Sequence, residues 1–316
     1  MSRKLLIGLV LVMLFGMLSG CGNSGTATVT GYVMAPNNAD PVVGATVSVK
    51  GKGISTTTNG AGKYTLTNVP TGKQTLLAVK GNFKAEITVN VGNADTTTEA
   101  PTAQLTTKKI GVVTGSFDDI GDVLVNLGLN YTEIGTHVLS EASDLDDYSV
   151  VFLACGNGIG SLDPNNEEKP EDKIIYDNLR AFVANGGGIY GSDWSAGTIC
   201  SLFPEYISIE RSDGKDQTLI ATVLDNDIKA LLGKSTCTIT YEIDGWVMVK
   251  VEDPNNVQVE IIGDPEIEGD GGIVQDKPLL VELSHGSGTV IYTSFHNSEQ
   301  VTEDGLKIIK HLVFSL

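Results

Sequence analysis

Basic side chains are scarce in this sequence. Its 316 residues hold 21 Lys and Arg against 39 Asp and Glu, a formal net charge of −18. That balance opposes nucleic-acid binding and supplies no basic patch for an anionic membrane surface. Histidines number four, and His137, His285, His296 and His311 stand far apart. No HExxH spacing occurs, so the zinc-ligand pattern of a metalloprotease helix is missing, and the one His-x-x-Glu spacing is that of His296 and Glu299. Cysteine is equally thin: beyond Cys21 there are Cys155, Cys200 and Cys237. An odd set allows at most one intramolecular pair and leaves a thiol over. A Cys200–Cys237 disulfide would tie two regions of the chain together, provided that their Cα atoms come within about 7 Å. A long apolar run is missing too. The run from Leu5 to Leu18 is too short and too near the start for a spanning helix.

What surrounds that run is informative. Arg3 and Lys4 precede it, and Leu18-Ser19-Gly20-Cys21 follows it. This is the layout of an export signal, and the tetrapeptide resembles a bacterial lipobox. The resemblance implies cleavage before Cys21, acylation of that cysteine, and a lipid-anchored protein of the bacterial cell envelope, at the outer membrane or cell surface. Two or more acyl chains hold stably where one does not. Residues 1–20 then form a signal peptide and 21–26 a polar tether. The exported setting permits disulfides.

From residue 27 to 100 short stretches alternate apolar and polar residues, as in Thr28-Val29-Thr30-Gly31-Tyr32-Val33 and Ala45-Thr46-Val47-Ser48-Val49. Turn residues separate them, with Asn59-Gly60-Ala61-Gly62 suited to a hairpin. The pattern predicts an all-β sandwich of about seven strands. Gly31-Tyr32-Val33, Pro41 with Gly44-Ala45-Thr46-Val47, Thr58 to Tyr64, and Val69-Pro70-Thr71-Gly72 resemble the carboxypeptidase regulatory-like domain, a transthyretin-like sandwich. The resemblance implies a spacer, adhesion or carbohydrate-binding-like fold without peptidase activity. A threonine-rich polar stretch follows and reads as a linker over 101–107. A linker there predicts that the sandwich folds alone.

The chain from 108 to 316 changes grammar. Lys109 to Thr114 reads as a buried strand, Asp118 and Asp119 open a helix, and Tyr131 to Ile134 and Ser149 to Ala154 read as further strands. A helix over 171–185, carrying Ile174, Ile175, Leu179, Phe182 and Val183, leads into Gly186-Gly187-Gly188-Ile189-Tyr190-Gly191, a strand, and then into a sharp turn at Ser192-Asp193-Trp194. This order predicts a mainly parallel, flavodoxin-like α/β domain. Residues 206–284 read as a β-rich insertion or extension on the α/β core. Gly288 to Phe295 reads as a last buried strand ending at His296. A closing helix carries Leu306, Ile309, Leu312 and Val313 inward. The fold class is therefore multidomain: an all-β sandwich, then an α/β domain with a β-rich insertion. The second region resembles the class I glutamine amidotransferase-like fold in its broad sense, including the ThuA-like branch. The resemblance rests on the element order, Asp147 to Val151, Gly186 to Gly191, and Gly286 to His296.

In that family a cysteine stands at the sharp turn, with a histidine and a glutamate after the last strand. Here the turn carries Asp193, and His296 and Glu299 stand one residue further apart than the family's pair. An aspartate does not replace a thiolate nucleophile. Strand ends bring Asp118, Cys155, Ser192, Asp193 and His296 to one sheet edge. Strands about 4.8 Å apart predict that the Asp193 and His296 side chains lie within about 10 Å. Three chemistries compete. Ser192 or Cys155 would be a nucleophile with His296 as base and Glu299 orienting it. Asp193, His296 and either Asp118 or Glu299 would hold a divalent metal, against which Asp118 also suits a helix cap. Or the cleft binds without catalysis, with Asp193 and Asp118 as ligand contacts and Trp194 as an aromatic platform at its rim. Asp163 to Glu168 is oxygen-rich but lacks EF-hand spacing and reads as a solvated loop. The expectation favours the third: an envelope lipoprotein acting as a binding or scaffolding module for a carbohydrate or protein ligand, needing no cofactor. The alternative is a sugar- or amide-directed hydrolase, possible with metal assistance.

Overall fold

A computed structural model describes residues 25–163, 170–297 and 302–316. The stretch expected as an export signal, Cys21, Glu299 and most of the acidic loop at 163–168 lie outside the described residues. Among the described residues, no helix is long and apolar enough to cross a membrane.

Period-two alternation builds the first region. In β1 (Thr26–Met34), Ala27, Val29 and Val33 point inward and the intervening threonines outward. β2 (Thr46–Val49), β3 (Ser55–Thr57), β4 (Lys63–Pro70), β5 (Gly72–Lys80) and β6 (Phe83–Val91) follow. Two sheets result, one in the order β3-β2-β5-β6 and the other around β4 and β1. The turn before β4 is set by Asn59, whose Oδ1 accepts the Ala61 and Lys63 N–H groups at 3.0 Å each. Gly62 closes it at φ +68°.

The stretch expected as a linker belongs to this sandwich. β7 (Thr97–Glu99) and β8 (Ala103–Gln104) both pair parallel with β1. Ala103 and Leu105 are buried, and Thr106 and Lys84 exchange backbone hydrogen bonds of 2.9 and 3.0 Å. Pairing draws on backbone groups, which a threonine-rich composition supplies as well as any other.

In the second region β9 (Lys109–Val113), α1 (Gly121–Asn126), β10 (Thr132–Glu133), α2 (Thr136–Ser140), α3 (Ala142–Leu145), β11 (Tyr148–Leu153), α4 (Pro170–Ala184) and β12 (Gly188–Ser192) lead to the turn Asp193–Ser195 and α5 (Ala196–Leu202). Then come β13 (Ile207–Gly214), β14 (Gln217–Val223), α6 (Asn226–Leu232), β15 (Thr236–Tyr241), β16 (Trp246–Val251), β17 (Val257–Gly263), β18 (Lys277–His285), β19 (Gly288–Thr293) and α7 (Glu303–Ser315). The parallel core runs β10-β9-β11-β12-β19, the flavodoxin-like order. The β-rich residues 206–284 extend this core. β18, β17, β14 and β15 continue the same sheet, antiparallel, to nine strands. A hairpin off β19 gives that strand's open edge a partner, and each added strand does the same for the last. The smaller β13–β16 pair lies outside this sheet.

Alternate residues of the core strands bury opposite faces. Val150 and Phe152 join one apolar cluster, Val151 and Leu153 the other. On α4, Ile175, Leu179 and Val183 face the sheet, but Ile174 is 52% exposed. On α7, Ile308, Ile309, Leu312 and Val313 are buried, while Leu306 is 39% exposed. Ile174 sits about 100° round its helix from the nearest buried residue of the stripe, and Leu306 lies in the first turn of α7. The Thr302 hydroxyl caps α7 by accepting the Gly305 N–H at 3.1 Å.

The two regions share a hydrophobic cluster rather than packing as separate cores. Phe83 of β6 meets Phe314 of α7 edge-on, with ring centres 4.9 Å apart. Around them Lys80 pairs with Asp227 at 2.8 Å and Lys310 with Asp40 at 2.9 Å. All three described cysteines are free thiols, so Cys200 and Cys237 are not bridged. Cys237 belongs to one cluster and Cys200 packs against the other, on opposite faces of the sheet.

Candidate functional site

The site grows from the end of β12. All of Gly188 to Ser192 is buried. A Cβ on Gly191 would lie 2.4 Å from both the Ile199 Cδ1 and the Ser195 Oγ, so only glycine lets α5 fold back this closely. The chain turns at Asp193, which adopts φ +42°. That left-handed region is uncommon outside glycine, though aspartate enters it more readily than most residues. The result is an elbow: strand, strained residue, helix.

Asp193 is fully buried. Its Oδ1 accepts the Val247 N–H at 2.8 Å. Its Oδ2 accepts the Cys155 thiol at 3.5 Å and lies 3.2 Å from His296 Nε2. Burial pushes the carboxyl above the usual range, and the contacts with His296, Val247 and Cys155 only partly offset it. Cys155 is buried just past β11, and its N–H donates to the Ser192 Oγ at 3.2 Å. Burial first, and the Asp193 charge second, push the thiol far up. Ser192 is buried with its hydroxyl turned to that backbone group.

Asp118 takes a role that its position before a helix concealed. Asp119, not Asp118, supports the helix start, accepting the Gly121 N–H at 2.7 Å. Asp118 is buried and accepts the Asn297 N–H at 2.9 and 3.0 Å and its side-chain amide at 2.7 Å. Asn297 in turn accepts the Tyr190 hydroxyl at 2.6 Å, and Tyr190 also meets Thr293 at 2.6 Å. This chain of contacts pins the segment carrying His296 to the ends of β9 and β12.

Above it lies a cleft of about 500 Å³, lined by Phe117, Asp118, Asp119, Glu242, Ile243 and His296 among others. That volume falls within the range of small-molecule sites, about 300–1,000 Å³. Trp194, 36% exposed, meets one lining residue, Phe117, edge-on at 5.0 Å, with its Nε1 donating to the Gly245 carbonyl at 3.0 Å. A small void of about 10 Å³ between Asp193, Tyr241, Trp246 and His296 lies beneath. A larger cavity, about 680 Å³, opens at the opposite sheet edge, between the sandwich and the starts of β11 and β12, and holds none of these residues.

The structure thus brings Asp118, Cys155, Ser192, Asp193 and His296 together at one edge and sets Trp194 beside them. Val247, Asn297 and Tyr190 complete the site and were not singled out from sequence. Asn297 and Tyr190 adjoin residues that were, whereas Val247 contributes only a backbone N–H from a distant strand. Cys155 Sγ, an Asp193 carboxylate oxygen and a His296 nitrogen all lie within 4.8 Å of one another, a group able to hold a metal. As a nucleophile Cys155 is poorly set: its S–H donates to the carboxylate of Asp193, not to an imidazole.

Residues 29–112 match the family model of the CarboxypepD_reg-like domain. The match spans the sandwich with β7 and β8 and runs into β9, past the expected boundary at residue 100. No curated protein matches the chain. Among solved structures, a protein from Bacteroides uniformis described as ThuA-like aligns with a TM-score of 0.46 at 13% identity, covering 66% of this chain and 91% of that one. A glutamine amidotransferase from Thermotoga maritima aligns with a TM-score of 0.43 at 11% identity, covering 66% and 95%. A β-galactosidase from Rahnella aligns with a TM-score of 0.41 at 16% identity, covering 66% and 31%.

Proposed function

We propose that this chain is a lipid-anchored envelope protein whose C-terminal cleft binds a carbohydrate without hydrolysing it. The observation that carries the reading is the elbow. Its strained residue is Asp193, buried, with one oxygen on Val247 and the other shared by Cys155 and His296. The position that presents an exposed nucleophile in a hydrolytic elbow carries a buried carboxylate here, with both oxygens engaged. The cleft offers Asp118, Asp119 and Glu242 beside Phe117, whose ring Trp194 meets edge-on. Carboxylates accept hydrogen bonds from hydroxyls, and aromatic faces cover the C–H faces of a sugar ring. The anchor rests on Leu18-Ser19-Gly20-Cys21, and an unmodified Cys21 in the mature protein would overturn it.

The test is calorimetric titration of the chain with a panel of neutral and amino sugars and oligosaccharides, beside an ester, amide and glycoside hydrolysis screen. Binding that weakens at least about tenfold in Trp194→Ala, without turnover, supports the reading. Turnover abolished by His296→Ala overturns it. The hydrolytic alternative has one observation in its favour, the approach of thiol, carboxylate and imidazole within 4.8 Å.

A further inference from the structure

We propose that Cys155, Asp193 and His296 bind one zinc ion, with the fourth position left to water or to a ligand atom entering from the cleft. The argument begins with distances. Tetrahedral zinc with a thiolate at about 2.3 Å and nitrogen and oxygen at about 2.0–2.1 Å has ligand-to-ligand edges of about 3.3–3.6 Å. Here Cys155 Sγ lies 3.5 Å from Asp193 Oδ2, which lies 3.2 Å from His296 Nε2. These two edges match within the tolerance of such sites, about 0.2 Å; the third pair lies within 4.8 Å and is the edge that zinc would draw in.

The donors also fit in kind. Thiolate, imidazole and carboxylate together favour zinc over magnesium or calcium, which prefer oxygen alone. A thiolate and a carboxylate carry two negative charges, which a divalent ion neutralises in a buried setting that would otherwise penalise them. On binding, the Cys155 S–H bond breaks, the sulfur forms a bond to zinc, and the proton leaves to solvent. The support around the ligands is in place. The second oxygen of Asp193 is held by the Val247 N–H, which fixes the carboxylate's orientation. Asp193 is itself fixed by the elbow, and Asn297, next to His296, is fixed by Asp118. Among the described residues, no lysine or arginine lines the cleft or the void beneath it.

This site stands apart from the carbohydrate reading: failure here leaves sugar binding by chelator-stripped protein intact, and the reverse holds. The experiment uses the full chain without a histidine tag, stripped by a chelator and dialysed. Zinc titration with elemental analysis should give one tightly held equivalent per chain, with proton release, unaffected by excess magnesium. Cobalt(II) in its place should show the thiolate-to-cobalt charge-transfer band that only a cysteine ligand produces. Cys155→Ser and His296→Ala should each weaken zinc binding by about 100-fold or more, with far-ultraviolet circular dichroism confirming the fold and Cys155→Ala as a second variant. Absence of stoichiometric uptake by the unaltered chain overturns the proposal, as does cobalt binding without the charge-transfer band. Tight uptake retained by the Cys155→Ser/His296→Ala double variant does so too.

Discussion

Phe83→Ala should loosen the seam between the sandwich and the α/β region. Phe83 is fully buried on β6, and Phe314, its partner on α7, is almost so. Truncating a buried phenylalanine costs about 3–5 kcal/mol, from lost transfer energy and the cavity left behind. The rings meet edge-on at 4.9 Å and 66°. That geometry adds about 0.5–1.5 kcal/mol beyond area, which a double-mutant cycle with Phe314→Ala should return as the coupling energy. The nearby Lys80–Asp227 pair is partly exposed, with side chains 17% and 39% accessible, and should contribute about 1 kcal/mol or less. The aromatic contact therefore dominates the ion pair at this seam. Urea unfolding followed by circular dichroism and by tryptophan fluorescence tests it, since both tryptophans, Trp194 and Trp246, lie in the α/β region. The two probes should coincide in the unaltered chain and separate in Phe83→Ala. A loss below about 1 kcal/mol, with no coupling to Phe314, would refute the claim that the shared cluster binds the two regions.

Two further outcomes follow from the buried ionisable groups. Glu260 is buried, and burial together with the neighbouring Glu282 charge pushes its carboxyl up to about 9 from an ordinary 4.5. A raised folded-state value means stability that is full below about pH 4.5 and lost as pH rises through about 9. Glu260→Gln, neutral at every pH, should flatten that decline and raise stability at pH 8–9 by on the order of 1–3 kcal/mol; an unchanged pH profile of the melting temperature contradicts it. Cys155 and Cys237 are buried with raised thiols, so both should resist a thiol reagent in the native chain. Three thiols beyond Cys21 should react after denaturation without reductant, and a shortfall of two would reveal a disulfide.

Patterns carried by neighbouring residues were legible before any coordinates. Alternation over 26–34 marks a half-buried strand, because side chains switch face at each step. The recurrence of Ile175, Leu179 and Val183 marks a helix lying on a sheet, and the elbow was readable from the glycines before it and the helix after it. The parallel order followed from strand, helix and strand in succession, since a parallel pair needs a crossover. Contacts between distant backbone groups left no such trace. β7 and β8 join the sandwich, and β14, β15, β17 and β18 extend the main sheet, through N–H and C=O groups that every residue carries. The Val247 N–H on Asp193 is of the same kind. Asp118 illustrates the other limit: ahead of a helix a carboxylate looks like a cap, and only packing turned it towards Asn297 instead. Residue chemistry by itself determined the elements and the edge where function gathers. Which atoms meet at that edge was decided by the tertiary fold, because a hydrogen bond depends on distance and direction in space, and a linear order of residues encodes neither.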